Sequence, residues 1–256
     1  MVINENIYLA RLDVFDDHNE GVSPNKILFE RYKEELIKRN PELMKLNEMG
    51  INIQIDADKS DEFEAKLKYY QKTHFASCWY LSEENEESIA MWNLYSAPNS
   101  VALRIRYKDF KMNVLESGFS DEEKFEKLVF RKVKYLNFFN PNDLLNEIDN
   151  IDLWGFIKDQ SYSYENEYRI LGKCEYIEPP EKRYKKGLAR KDTDELYEKI
   201  YNIKGKELHI KDFTKYKFEV VMHPKSQDWA FKDLNKLLNK LTTKGNLQII
   251  DSKLKI

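Results

Sequence analysis

A chain of 256 residues, 41% of them hydrophobic and 13% aromatic, carries enough apolar surface to bury a sizeable core. With 34% charged residues, a mean hydropathy of -0.72 and a formal net charge of -3, the composition excludes disorder along the whole chain. The mixed charge argues against a dedicated membrane-surface or general nucleic-acid-binding protein. No apolar run approaches the roughly 18 residues of a membrane span, and MVINENIYLA lacks the layout of a signal peptide. A cytoplasmic protein with no membrane partner is therefore expected.

In chain order, the alternation of Ile7 to Asp13 predicts a strand, broken by FDDHNEG. Ser23 and Pro24 open a helix with an apolar stripe through Ile27, Leu28, Tyr32, Leu36 and Ile37. Asn40-Pro41 ends it and starts a short helix that Gly50 terminates. A charged helix from Ser60 to about Lys72 precedes a buried aromatic strand, His74 to Ser82, and a short helix from Glu86 to Tyr95. SVALRIRY alternates cleanly, with Val101, Leu103 and Ile105 on one face and Arg104 and Arg106 on the other.

Ser120 and Glu123 form a capping box for a helix that runs into the strand-like FRKVKYLNF. Asn140-Pro141 caps another helix, and IDLWGFIKDQ adds one more before a strand YENEYRIL. Residues 178–191, EPPEKRYKKGLARK, read as a long exposed basic loop. Strands KELHIKD and FEVVMHP, a helix from Gln227 to Leu241 and a strand LQIID complete the chain. The expected fold is one α+β domain over 1–256, a mixed and mostly antiparallel sheet flanked by helices.

Cys78 and Cys174 each sit in a strand without a CxxC partner, so buried free thiols are expected. His18, His74, His209 and His223 show no metal spacing, and no metal site is expected. No GxxxxGK[ST], GxGxxG or GxSxG string occurs, and only 8 glycines are present, which argues against a P-loop, Rossmann or nucleophile-elbow enzyme.

The chemistry-bearing candidates are Glu165 and Glu167, read as two acids on one strand face about 7 Å apart, followed at once by Arg169. The plain reading is a solvated or ion-paired face, with Arg104, Arg106 and Lys158 as partners. Arg11 reads most simply as a structural ion-pair partner, Trp79, Trp92 and Tyr95 as core, and Asp16 and Asp17 as turn formers.

The order of several short motifs resembles the uncharacterised bacterial family DUF2971. They are Asp16 or Asp17 before Glu20-Gly21; Ser77-Cys78; Met91, Trp92 and Tyr95; Lys158 followed by Tyr164, Glu165, Glu167, Tyr168 and Arg169; and Pro224, Ser252 and Leu254. The resemblance implies a setting in phage defence or toxin–antitoxin systems and a protein partner from such an operon. A second resemblance, to the Arg-Ser-Glu order of ADP-ribosyltransferases, rests on Arg11, Ser77 and Glu165-x-Glu167. It implies an NAD-consuming site in which Glu167 faces an oxocarbenium-like state and Glu165 serves the nucleophile. Arg11 would hold phosphates, Ser77 the ribose, and Trp92 or Tyr95 the nicotinamide.

Two other readings compete with it. One is a non-catalytic antitoxin-like or sensor module, which requires both acids to be fully paired with basic side chains, no deep pocket and a large apolar surface patch. The other is a metal-dependent nuclease built on Asp16, Asp17, Glu20 and Glu165. The loop Lys182 to Lys191, with Tyr184 among its cations, would suit a nucleic-acid target if the acids were catalytic.

Overall fold

The computed structural model describes residues 6–24, 26–28, 67–83, 85–116, 125–145, 151–174, 202–210, 216–241 and 247–255, with isolated positions 42, 45, 48, 49 and 147. The basic loop 178–191, the Ser120–Glu123 capping box and most of the two helices expected between Pro24 and Gly50 lie outside these residues.

Among the described residues, the following strands and helices have defined bounds. Strands β1 (Asn6–Arg11) and β2 (His74–Tyr80) precede helix α1 (Ile89–Tyr95), strand β3 (Val101–Ile105) and helix α2 (Tyr107–Glu116). Then come β4 (Phe125–Lys132), β5 (Lys134–Leu136), α3 (Pro141–Leu145), β6 (Ile157–Asp159) and β7 (Glu167–Cys174). Strands β8 (Gly205–His209) and β9 (Phe218–Met222), helix α4 (Asp228–Leu241) and strand β10 (Leu247–Ile250) close the series. The architecture is α+β, with a mostly antiparallel sheet flanked by helices.

The main sheet has the order β4-β7-β2-β1-β8, and every neighbour in it is antiparallel. A smaller sheet, β10-β9-β3, pairs β9 with β10 in parallel and with β3 antiparallel. Strand alternation gives the main sheet two different faces. One meets a core that includes Leu12, Leu28, Tyr70, Ala76, Trp154 and Leu171. The other meets Ile7, Leu9, Phe75, Ile170 and Leu208 together with Phe218, Leu103 and Ile105 of the smaller sheet.

Two expectations change, and one helix is added. SYSYE is not strand: a 3-10 helix runs from Gln160 to Glu165, and Asn166, in the left-handed region at φ 38°, turns the chain into β7. Asn adopts this conformation more readily than most side chains, and the strand therefore begins at Glu167. IDLWGF forms a 3-10 helix over Ile151–Phe156 that leads into β6. Tyr107–Glu116 is helical, an element the sequence pattern had not marked, and among its described side chains the buried ring of Phe110 anchors it.

Gly21 sits at φ 69°, and a Cβ there would lie 2.8 Å from Leu12 Cδ1. Backbone strain and the clash add, so Gly21→Ala is expected to cost about 1–3 kcal/mol. A shift of the urea midpoint at unchanged slope would measure it. No helix among the described residues is long and apolar enough to cross a membrane.

Candidate functional site

The polar turn after β1 is held by its own aspartate. Asp17 accepts the Asn19 amide at 2.9 Å through its side chain and the Glu20 amide at 3.0 Å through its carbonyl, the local bonding expected of a turn former. The turn delivers Glu20 into the protein, where 1% of it remains exposed.

Glu20 meets Arg169, whose side chain is fully buried. Arg169 Nη1 donates to Glu20 Oε1, and Nη2 donates to Glu20 Oε2 at 2.8 Å. The opposite edge of the guanidinium holds Glu167, with Nε to Oε1 at 2.8 Å and Nη2 to Oε2 at 2.9 Å. Nη1 also donates to the Gly155 carbonyl at 2.7 Å, and Phe15 lies 5.9 Å away across the ring face. All five donors of the guanidinium are used, the condition under which a buried arginine is tolerable. Gly155 is packed closely by Leu171: a Cβ there would meet both Leu171 methyls at 2.9 Å.

The network continues through Lys158. Its Nζ donates to Glu165 Oε2 at 2.6 Å and lies 3.6 Å from Glu167 Oε2, with the Tyr162 ring 4.7 Å away. Glu165 also accepts from Tyr95 Oη at 2.5 Å. Because Asn166 reverses the backbone, the two acids leave different elements and are bridged by one ammonium. They do not share a strand face, as the sequence had suggested.

Burial raises the Glu20 carboxyl above its ordinary value despite the attraction of Arg169. Burial pushes Glu167 the same way, but the charge and hydrogen bonds of Arg169, the Cys78 thiol and Lys158 outweigh it and hold Glu167 below the ordinary value. Lys158 is raised, because the Glu165 hydrogen bond and the neighbouring acids exceed the desolvation that would lower it. Desolvation first, and then Glu167, push the Cys78 thiol well up. Tyr135, which receives the Glu167 amide at 2.9 Å, is pushed up to about 12, chiefly by desolvation.

The structure does not bring Arg11 and Ser77 to these acids. Arg11 is opposite Phe75, and Ser77 is opposite Ile170. Directly paired residues share a face, so both belong to the face of Phe75 and Ile170, whereas Glu167 and Arg169 occupy the other. Arg11 donates to Asp13, which Lys72 also approaches at 3.4 Å, and Ser77 accepts from Trp79 Nε1 at 3.1 Å. Nor do Asp16, Asp17, Glu20 and Glu165 assemble, since the described residues contain no group of three or more His, Cys, Asp or Glu placed to hold a metal ion.

Trp92 is buried. Its Nε1 donates to Glu87 at 3.1 Å and its ring meets His223 edge-on at 5.2 Å. Glu87 also accepts from Ser252 Oγ at 2.6 Å and the Lys253 amide at 2.8 Å, so the C-terminal Ser-x-Leu piece is a strap over α1. Tyr95 and Tyr164 are exposed, at 64% and 46%. Arg104 pairs with Glu219, Nε to Oε2 at 2.7 Å, and not with the acids of β7.

A cleft of about 460 Å³ opens between the end of β2, α1 and β3. Its aromatic walls include Trp79, Tyr80, Tyr95, Tyr107 and Tyr168, with Arg104 and Arg106 along β3. Tyr107 and Tyr168 hydrogen-bond through their hydroxyls at 3.1 Å, and desolvation followed by this bond pushes Tyr168 upward. Cys78 also lines the cleft, and the residue as a whole is exposed, although its thiol lies in the desolvated network beside Glu167; Cys174 is buried, and both are free. Tyr95 belongs to both regions, lining the cleft while binding Glu165.

Residues 91–170 match a family described as a protein of unknown function, DUF2971. The DUF2971 match starts at Met91 in α1 and ends at Ile170 in β7, so it contains Trp92, Tyr95, Lys158, Glu165, Glu167 and Arg169. The resemblance read from these motifs is borne out over that stretch. No curated protein and no solved structure matches the chain.

The sequence had not marked Glu20 as the arginine's partner, Tyr135 as the receiver of the Glu167 amide, or Trp79, Tyr107 and Tyr168 as cleft walls. Glu20 carried one usable signal, an acid fixed before a glycine in a turn that otherwise needed only Asp17.

Proposed function

We propose that the chain works by recognition: it is a non-catalytic sensor or antitoxin-like module, in the defence or toxin–antitoxin setting that the DUF2971 resemblance implies. The observation carrying this reading is the saturation of Arg169. A general base or an oxocarbenium-facing carboxylate needs a lone pair that substrate can reach. Glu167 and Glu20 turn both oxygens to one guanidinium, Glu165 turns its own to Lys158 and Tyr95, and burial of all three closes the remaining lone pairs to substrate. What remains open is the aromatic cleft beside them, within the size range of ligand sites; the module reading from the sequence expects no deep pocket, and the cleft departs from it.

A second reading, NAD consumption, is favoured by one observation: Glu165 is the acid that reaches the cleft, through Tyr95. Purified protein incubated with NAD, with labelled ADP-ribose transfer to lysate followed in the same samples, separates the two. The expected result is neither NAD loss nor labelling in wild type, Glu165→Gln and Glu167→Gln. Turnover in wild type that disappears in Glu165→Gln would replace recognition with catalysis.

A further inference from the structure

The cleft walls have an unusual composition: they are made of consecutive residues, 78–82 on one side and 101–107 on the other. A strand that shows a face contributes alternate residues, whereas one that shows its edge contributes all of them. The hydrogen-bond phase identifies which backbone groups face outward. His223 donates to the Ser100 carbonyl at 3.0 Å, extending the β3–β9 ladder, so Ala102 and Arg104 bond to β9. Val101, Leu103 and Ile105 then direct their N–H and C=O groups away from it. On the other wall Leu81 donates to the Asn166 carbonyl at 2.9 Å, which places the bonds of Trp79 on β7 and turns those of Cys78 and Tyr80 outward. β1 pairs with β2 only at Phe75 and Ala76, so no strand among the described residues covers that edge.

β3 is therefore an edge strand with three outward-facing residues. Natural proteins guard such edges with lysine, proline or charge. β4 and β8, the edges of the main sheet, carry Lys127, Lys132 and Lys206, whereas VALRI holds neither lysine nor proline, its one charge, Arg104, is paired with Glu219, and Val101 is 45% exposed.

We propose that the β3 edge takes up an extended peptide as an added strand, with apolar residues alternating with acidic ones. The inference deepens the recognition reading and rests on it. Alternation fixes the chemistry of the occupant. Side chains on one face of an added strand would meet Leu103, Ile105, Trp79 and Phe110, and those on the other would meet Arg104 and Arg106. Arg104 is paired with Glu219, but Arg106 is exposed along the cleft, so this side has a cation left for the peptide. The main chain of the peptide supplies the acceptors and donors that Val101, Leu103 and Ile105 lack.

The test uses the full chain and a fluorescein-labelled, acetylated Val-Glu-Val-Glu-Val peptide, read by anisotropy. Val101→Pro removes one outward donor at the start of an edge strand, where proline is tolerated, and leaves the β9 ladder intact. Saturable binding is expected, about tenfold weaker for Val101→Pro and within about twofold of wild type for Val101→Ala. Methylation of alternate peptide nitrogens should abolish binding whatever the behaviour of the proline variant, and replacing the peptide's glutamates by lysines should weaken it about tenfold. Absence of binding to the wild type, or equal binding of the methylated peptide, would overturn the proposal. So would a concentration-dependent dimer that Val101→Pro dissolves, which would assign the edge to a second copy. NAD turnover by a chain that still binds the peptide would sink the recognition-only reading alone.

Discussion

Arg169→Met is expected to lose about 3–5 kcal/mol of stability, the largest effect of any single substitution in the network. The loss comes less from the bonds removed than from what remains: Glu20 and Glu167, both buried, would face each other with the cation between them gone. Methionine restores most of the volume, so cavity formation adds little. The same substitution in a Glu20→Gln, Glu167→Gln background should therefore cost far less than the sum of the parts. Urea denaturation of the four proteins at one pH gives the comparison, and a loss under about 1 kcal/mol in the single variant would show that the arginine is not holding the acids.

The second large effect is in the pH dependence. Glu167 is held below its ordinary value, so its contribution to stability is fully present above the unfolded carboxyl value near 4.3 and is lost as pH falls through its lower folded value. Glu20 is raised, so its contribution is fully present below that unfolded value and is lost as pH rises through its higher folded value. The two acids on one arginine thus pull stability in opposite directions, and the wild type hides both. Glu20→Gln should expose a curve that falls toward acid, and Glu167→Gln one that falls toward neutrality. At pH 7 Glu167→Gln should lose about 1.5–3 kcal/mol for hydrogen bonds to a charged group, and Glu20→Gln should lose less, because the pH-linked part of its contribution has fallen there. Parallel curves for the two variants would show that the acids do not differ in this way.

Elements whose pattern is local were legible. The alternation of Ile7 to Asp13 and of SVALRIRY, the aromatic run after His74, and the Asn140-Pro141 helix start all led to the observed β1, β3, β2 and α3. YENEYRIL misled because its alternation continues across Asn166, where one left-handed residue changes the backbone and the strand period no longer applies. For the site, composition marked the two acids and Lys158 but could not give their partners. Lys158 is eight positions before Asn166 and close in the chain; Glu20 arrives from the far end, 149 residues before Arg169. Arg11 and Ser77 failed for a related reason. Order along a chain does not say on which side of a sheet a residue falls, and pairing register does.

The distance between Glu20 and Arg169 also orders events during synthesis. At about 5–20 residues per second a ribosome needs roughly 7–30 s to add the 149 residues between them. For that interval the Asp17–Glu20 turn exists without its arginine, and its carboxylate stays in water, where it costs nothing. Burial of Leu12 and Val22 on the same segment is tied to that pairing, because docking them without the arginine would carry an uncompensated charge inside. The segment is therefore expected to lock only once β7 has been made.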